Sequence, residues 1–419
     1  MGVGIIFSSR LFTRKRTMIT ISLTTIIAGA VVVLLAILGS LINPFLRSLR
    51  FPETADLEAT DGAEAATESL SEAKTEPAGP KTEPMTVLIT AHDSLPELER
   101  NLPHFLQQKY APGYQVIVVC QSTDGETQDY LKRMAAEYPH LYYTYIPESS
   151  RYMSRKKLQI TLGVKAAKNE WIILTEPSCH PNNDKWLQTM ARQCQEPNHL
   201  VLGYVALDEE TKGVRRFESI RKAFYLLRRA QHTYGYRTHM PNVAFRKSDF
   251  MREQGYQGNL ELVRGEYDFL VNKYAECGDT AVELDSDGWL IHDEPTDKAW
   301  HNAHLYLLAS RHSLSRAASM RTLMGFDHLL PHLSLIASVA VLAYAILMQD
   351  WVLTGCAGFA LLLLFILRMI IAGKAIRHFD DDLAYIKLPF YEYGIIWRNL
   401  ANKLRYWHAD KNDFTSHKL

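Results

Sequence analysis

Side chains able to do chemistry stand where short apolar runs end. His92 and Asp93 follow MTVLITA, Cys120 closes YQVIVVC with Gln121 and Asp124 beyond it, and Glu176 ends EWIILTE with His180 close behind. Imidazoles and carboxylates pass protons or hold cations, and an amide reads a polar edge. Two further groups fall in helical stretches: Lys156 and Lys157 near the start of SRKKLQITLGVKAAK, and Glu266 and Asp268 around Tyr267 in GEYDFLVNKYA. A solvated helix face explains the lysines as well as an anion site does, and the helix dipole explains the acids as well as proton transfer does. Cys120, Cys179, Cys194, Cys277 and Cys356 form no CxxC pair and no metal-type spacing, which points to a reducing compartment.

The elements that must position these groups alternate in type. MTVLITA, YQVIVVC, LYYTYI and EWIILTEP are short, apolar and rich in β-branched or aromatic residues, so they read as strands. LPELERNLPHFLQQ, DGETQDYLKRMAAEY and SRKKLQITLGVKAAK carry helical periodicity. Such alternation predicts an α/β fold with a mainly parallel sheet and helices on both faces. Ligands in these sheets bind at the carboxyl ends of the strands, so the loops at His92, Cys120 and Glu176 should share one crevice.

The 419 residues exceed one ordinary domain, and their averages hide unlike parts. Basic and acidic residues number 46 each, which removes the net positive charge of a nucleic-acid binder. The composition also excludes wholesale disorder, collagen and coiled coil. From Thr17 to Leu46 no side chain is charged, a run long enough for a transmembrane helix and too long for the apolar core of a cleaved signal. Leu329–Met348 and Trp351–Leu367, parted by Gln349 and Asp350, predict a transmembrane hairpin, with Arg368 near its end reaching the interface. The hairpin turn lacks Lys and Arg, whereas the tail carries Lys374, Arg377, Lys387, Arg398, Lys403 and Arg405. The turn is therefore expected outside, with the tail and the main domain inside. Arg10, Arg14, Lys15 and Arg16 oppose this orientation unless translation starts at Met18, and a native N-terminus at Met1 counts against that start. Residues 51–84, rich in Ala, Glu, Thr and Pro, read as a disordered acidic tether. The aromatic and basic tail reads as an interfacial segment whose deletion disturbs positioning rather than folding.

The succession TVLITAHD, VIVVCQSTDGET, SRKKLQITLGVKAAKNEWIILTEPSCHPNNDKWL, NVAFRKSDF and GEYDFLVNKYA resembles the membrane-anchored family 2 glycosyltransferases of the GT-A fold. It is similar to the bacterial subgroup with one N-terminal and two C-terminal membrane helices, over nearly the whole chain apart from the tether. The resemblance implies binding of a nucleotide-diphosphate sugar. It places at the end of WIILT the D-x-D motif that holds Mg²⁺ or Mn²⁺; here Glu176, Pro177 and Ser178 stand there, with His180 or His292 to complete a site. It places the general base at Tyr267, so that Asp268 or Glu266 serves if the register shifts by one residue. It places the Q-x-x-R-W segment in WHNAHLYLLASRH, where Trp300 matches a flanking aromatic, Ala303 and Tyr306 replace the amide and the cation, and Arg311 and His312 lie nearby. The same resemblance assigns His92, Asp93, Gln121 and Asp124 to the nucleoside, Lys156 and Lys157 to the phosphates, and Asn242, which opens NVAFRKSDF, to the substrate. Turn chemistry alone also explains Asp124 in STDG.

Two functional readings follow. One is a transferase moving a sugar from a cytosolic nucleotide donor to a lipid-linked or polysaccharide acceptor at the bacterial inner membrane. The other is a catalytically degenerate relative acting as a binding or scaffold subunit in envelope polysaccharide synthesis, since acidic residues are replaced at the nucleotide loop, the metal motif, the base and the clamp. The expected organisation is an anchor over 1–49, a tether over 50–84, a GT-A domain over 85–325, a membrane hairpin over 326–373 and an interfacial tail over 374–419.

Overall fold

The computed structural model describes residues 22–47, 49–51, 83–147, 153–315, 317–379 and 381–415. These form two compact units, one of the residues up to Ile42 with Phe326–Arg368, the other of Asn43–Gly325 with Met369–Leu419. Met18, the basic residues before it and the acidic segment 52–82 lie outside the described residues.

Helix α1 (Leu23–Leu41) is capped by the Ser22 hydroxyl, which accepts from the Thr25 N–H. The residues after it already belong to the second unit. Phe45 and Leu49 are buried in its core, Phe45 edge-on to Phe224 at 5.1 Å, and the backbone of Arg50 exchanges hydrogen bonds with the Gln231 amide. The boundary expected after residue 49 therefore does not divide these residues from the domain.

The sheet begins with β1 (Met85–Thr90), α2 (Leu95–Leu106), β2 (Tyr114–Gln121), α3 (Gly125–Glu137), β3 (Leu141–Ile146), α4 (Arg155–Ala166) and β4 (Trp171–Thr175). These four strands are parallel: Val87 stands opposite Val116 on one side and Ile173 on the other, and Val118 opposite Tyr143. The central strands are unbroken apolar runs because both faces are covered. Leu88, Ile117, Val119, Ile172 and Leu174 meet Ile160 and Val164 of α4 on one face. Val87, Ile89, Val116, Val118 and Ile173 meet Leu98, Leu102 and Phe105 of α2 and Leu131 of α3 on the other. Gly163 permits the close approach of α4, since a Cβ there would lie 2.2 Å from Leu88 Cδ1.

The chain continues through β5 (Cys179–Pro181), α5 (Trp186–Gln193), β6 (Asn198–Gly203), β7 (Val205–Leu207), α6 (Gly213–His232), β8 (Val243–Arg246), α7 (Lys247–Arg252), α8 (Glu266–Tyr274), β9 (Asp279–Glu283), β10 (Leu290–His292) and α9 (Asp297–Ser310). The seven-stranded sheet runs β3-β2-β1-β4-β8-β6-β9, with β8 antiparallel to both β4 and β6. A second sheet of order β5-β10-β7 pairs His292 with Cys179.

Next come α10 (Ala317–Leu347), α11 (Trp351–Arg377) and α12 (Leu388–His408). Leu23–Leu41, Met324–Leu347 and Trp351–Arg377 are long and apolar enough to cross a membrane. Within the first unit Arg368 does not reach outward as expected. It is 2% exposed, donates to the Gly39 carbonyl of α1 and lies 3.7 Å from Asp327. The helix continues to Arg377, so Arg368 is inside it and takes the acceptor its neighbour offers.

The tail is also unlike its sequence-based expectation. Phe379, Leu383, Leu388 and Ile395 are buried in the domain core. Asp381 pairs with Arg216 at 2.8 Å, and Glu392 with Arg221 at 2.6 Å. These partners on α6 make the tail a part of the domain, while Trp397, Leu404 and Trp407 keep an exposed apolar face on α12.

Candidate active site

A cavity of about 590 Å³ opens at the carboxyl ends of β1, β2 and β4. Its walls are His92 and Asp93 after β1, Gln121 at the end of β2, Glu176 and Ser178 in the β4–β5 turn, Arg155 and Lys156 on the first turn of α4, and Asn412, Asp413 and Thr415 of the tail. Parallel pairing sets these strand ends side by side, as the alternation of elements predicted. Gln121 Nε2 meets His92 Nδ1, and Arg155 Nη1 donates to Gln121 Oε1 at 3.3 Å. Cys120 contributes nothing to this cavity, because its buried thiol faces the Thr144 carbonyl and burial pushes its pKa up to about 11.

A second cavity of about 650 Å³ shares Lys156, Glu176 and Arg264 with the first. It is lined further by Glu218 and Lys222 of α6, Arg237 and His239, Glu266, Tyr267 and Asp268 of α8, His292, and Trp300, His304 and Tyr306 of α9. Gly265 sets the start of α8. Its φ is +93°, and a Cβ there would lie 2.7 Å from Ser310 Cβ.

Where the cavities meet, the Lys156 ammonium donates to Glu176 Oε1, lies 3.2 Å from Glu266 Oε1 and sits 4.7 Å from the centre of the Tyr267 ring. Burial works against ionisation of Glu176, yet the Lys156 charge and hydrogen bond, followed by His292, outweigh it and bring its pKa to about 2. Burial, then the carboxylates of Glu176 and Glu266, holds the Tyr267 phenol well above its ordinary value, so Tyr267 is no base. Glu266 is 4% exposed, and its Oε2 has no hydrogen-bond partner among the described residues.

Deeper in the second cavity Asp268 Oδ2 lies 3.5 Å from Arg237 Nη1. His304 faces acceptors with both nitrogens, the Trp300 carbonyl at 2.8 Å and Glu218 Oε1 at 2.9 Å, and Arg398 reaches Glu218 at 3.2 Å. Burial opposes the charge on Glu218, but these two partners hold its pKa below the carboxylate range. Trp300 stacks near Arg215, with the guanidinium carbon 5.4 Å from its ring centre.

Of the residues singled out from sequence, His92, Asp93, Gln121, Lys156 and Glu176 line the first cavity, and Glu266, Asp268 and Trp300 line the second. Four others do not. Lys157 is fully buried and donates to Asn259 O, to Asn259 Oδ1 at 2.7 Å and to Leu262 O at 2.5 Å, pinning the loop before α8 instead of a phosphate. Asn242, also fully buried, donates to the carbonyls of Tyr204 and Gly288. Asp124 caps α3 by accepting from the Thr127 N–H, which is the turn role alone. His180 contacts Pro181 O and the His104 ring, away from Glu176. Glu218, Lys222, Arg237 and His304 were missed, because each belongs to a helix or loop whose sequence pattern carries no motif.

The metal site implied by the resemblance is not built here. Ser178 Oγ is engaged with His292 Nε2 at 3.2 Å, the Glu176 carboxylate with Lys156, and His180 faces elsewhere. Among the described residues no three His, Cys, Asp or Glu side chains converge as a metal site would require.

Residues 61–223 match the family model for glycosyl transferase family 21. The fold is that of the GT-A glycosyltransferases. The mannosyltransferase PcManGT from Pyrobaculum calidifontis, solved in complex with GDP-Man and Mn²⁺, aligns at 15% identity over 90% of this chain and 98% of its own, with a TM-score of 0.51. TarS 1-349 from S. aureus in complex with UDP-GlcNAc aligns at 11% identity over 76% of this chain and 92% of its own, with a TM-score of 0.41. None of the curated proteins compared with the chain matches it. The resemblance to a GT-A glycosyltransferase with three apolar helices stands, and the family model that matches carries the number 21. This family match supports sugar transfer by the GT-A domain.

Proposed function

We propose that the protein transfers a sugar from a nucleotide-diphosphate sugar, bound in the first cavity, to a lipid-linked or polysaccharide acceptor entering the second. The observation that carries this reading is the junction: two cavities of substrate size meet at one wall of Lys156, Glu176 and Arg264, so donor and acceptor reach a common point. The nucleoside meets His92, Asp93 and Gln121, and the diphosphate lies against Arg155 and Lys156 at the start of α4. Asp268 is the base that takes the acceptor proton, because its carboxylate is the more accessible, 16% exposed against 4% for Glu266, its cation lies further off at 3.5 Å against 3.2 Å, and the Tyr267 phenol is held protonated. Trp300 offers an apolar face to the acceptor sugar.

The three apolar helices support a membrane location, and the missing Lys and Arg in the hairpin turn supports the domain and tail facing the bacterial cytoplasm. A lipid-linked acceptor suits that location, since its sugar end would be presented at the inner leaflet. Detergent-purified full-length protein, incubated with a panel of labelled nucleotide sugars and a lipid extract, is expected to move label from one donor into the lipid or polymer fraction. Donor binding without transfer to any acceptor, unchanged in an Asp268→Asn variant, is instead the outcome expected of the scaffold reading.

A further inference from the structure

We propose that Lys156 is a built-in cation for the donor diphosphate, so that nucleotide binding proceeds without a divalent metal. This rests on the glycosyltransferase reading above.

The position is the first reason. The end of β4 is where the fold is expected to hold its metal, and the one carboxylate there, Glu176, is bonded to the Lys156 ammonium. A divalent ion at that point would need the same oxygen, together with others at about 2.0 to 2.1 Å in octahedral array. The side chains in reach do not supply them: Ser178 is engaged with His292, and the second carboxylate, Glu266, is also held by Lys156, at 3.2 Å.

Fixity is the second reason. Lys156 is held between two carboxylates and over the Tyr267 ring at 4.7 Å, and its side chain is only 18% exposed. An ammonium carries three N–H donors. One is given to Glu176, and Glu266 is met only as an ion pair at 3.2 Å, which leaves donor capacity for a phosphate oxygen on the first-cavity side. Lys156 lies on the first turn of α4, where backbone N–H groups add to the attraction for an anion, and Arg155 precedes it on the same wall. The adjacent lysine makes the assignment specific, because Lys157 has its donors spent on Asn259 and Leu262. In this arrangement the ammonium, with the Arg155 guanidinium on the same wall, offsets the negative charge that the diphosphate gains as the sugar bond breaks and its electron pair stays on the leaving oxygen, and Glu176 keeps the ammonium in place.

Titration of the detergent-purified full-length protein with UDP and with GDP, in EDTA and then in Mn²⁺, tests this. The expected result is binding of at least one nucleotide with affinities in EDTA and Mn²⁺ that agree within about twofold. Lys156→Met is expected to weaken binding in EDTA by about 10- to 100-fold, the loss of one charge-assisted contact, while Lys156→Arg keeps most of it. Thermal melts of both variants control for folding, and the comparison on the wild-type protein needs no variant at all. Wild-type binding that appears only with Mn²⁺ overturns the proposal and leaves the glycosyltransferase reading intact. Binding by a folded Lys156→Met protein equal to wild type also overturns it. No binding of either nucleotide in either buffer sinks both.

Discussion

The two cavities share a wall but are built in opposite ways. The first is made of strand ends and one helix start drawn from a single run, Thr90 to Ser178, with the loop before α8 and the tail closing its far side. The second is gathered from α6, α8, α9 and the segment around His239, and its charges come in pairs, Glu218 with His304 and Arg398, Asp268 with Arg237. A cavity of strand ends takes its groups from sheet register, which the core enforces. A cavity of helix faces depends on buried ion pairs and on every element that packs behind them. The second should therefore be the easier to break, and its breakage should leave nucleotide contacts in the first.

The largest effect is expected from the tail. A chain ending at Arg377 loses Phe379, Leu383, Leu388 and Ile395 from the core, and the partners of Arg216, Arg221 and Glu218 with them. Full burial of such apolar side chains contributes roughly 1.5 to 3 kcal/mol each, so their sum rivals the whole stability of about 5 to 15 kcal/mol. The truncated protein should fail to give a monodisperse peak in gel filtration. A folded truncation that still binds nucleotide would show that the tail is an accessory to the membrane surface, as the sequence alone suggested.

Asp268→Asn is the next largest and acts mainly on chemistry. The expected loss in kcat is roughly 10² to 10⁴. Donor affinity should stay near wild type, since Asp268 lines only the second cavity, while the melting temperature should fall modestly as Arg237 loses its partner. A matching loss of donor affinity would mean that the cavities are not separable in function.

How far each cavity was legible in the sequence follows the same division. The strands at MTVLITA, YQVIVVC and WIILT were visible because burial on a parallel sheet leaves short apolar runs, the half-exposed edge strand LYYTYI was visible by its aromatic residues, and β1 to β4 fall where those runs lie. Their ends carried His92, Gln121 and Glu176 into one crevice by topology. The second cavity was legible only in Glu266, Asp268 and Trp300, because His304 and Glu218 meet at 2.9 Å through tertiary packing, with α9 and α6 both set against α12. The two neighbouring lysines show the limit at finer grain. Spacing brings both to the start of α4, but the helix turn that aims Lys156 into the cavity points Lys157 at the carbonyls of Asn259 and Leu262.

Gly265→Ala comes next in size. The added Cβ meets both an unfavourable φ of +93° and Ser310 at 2.7 Å, a cost of roughly 1 to 3 kcal/mol. Because Gly265 sets where α8 begins, the variant should lower the melting temperature and reduce transfer more than it weakens UDP or GDP binding. Equal losses would tie the start of α8 to the first cavity as tightly as to the second.

The smallest effect separates the cavities by pH. Burial, then the charge of Arg237, lowers the Lys222 pKa from 10.5 to about 8, although its ammonium donates to the His239 carbonyl at 2.7 Å. Between those two values the unfolded chain holds a proton that the folded protein has released, so stability gains with rising pH. Against Lys222→Met, the wild-type protein should gain at most about 2 to 3 kcal/mol from pH 8 to 10.5, in denaturant melts across that range. Glu176, with its pKa near 2, stays ionised throughout, so this carboxylate gives the first cavity no titration in the same window. Nucleotide affinity that followed the Lys222 titration would show the second cavity's charge reaching across the shared wall, and would end the separation drawn here.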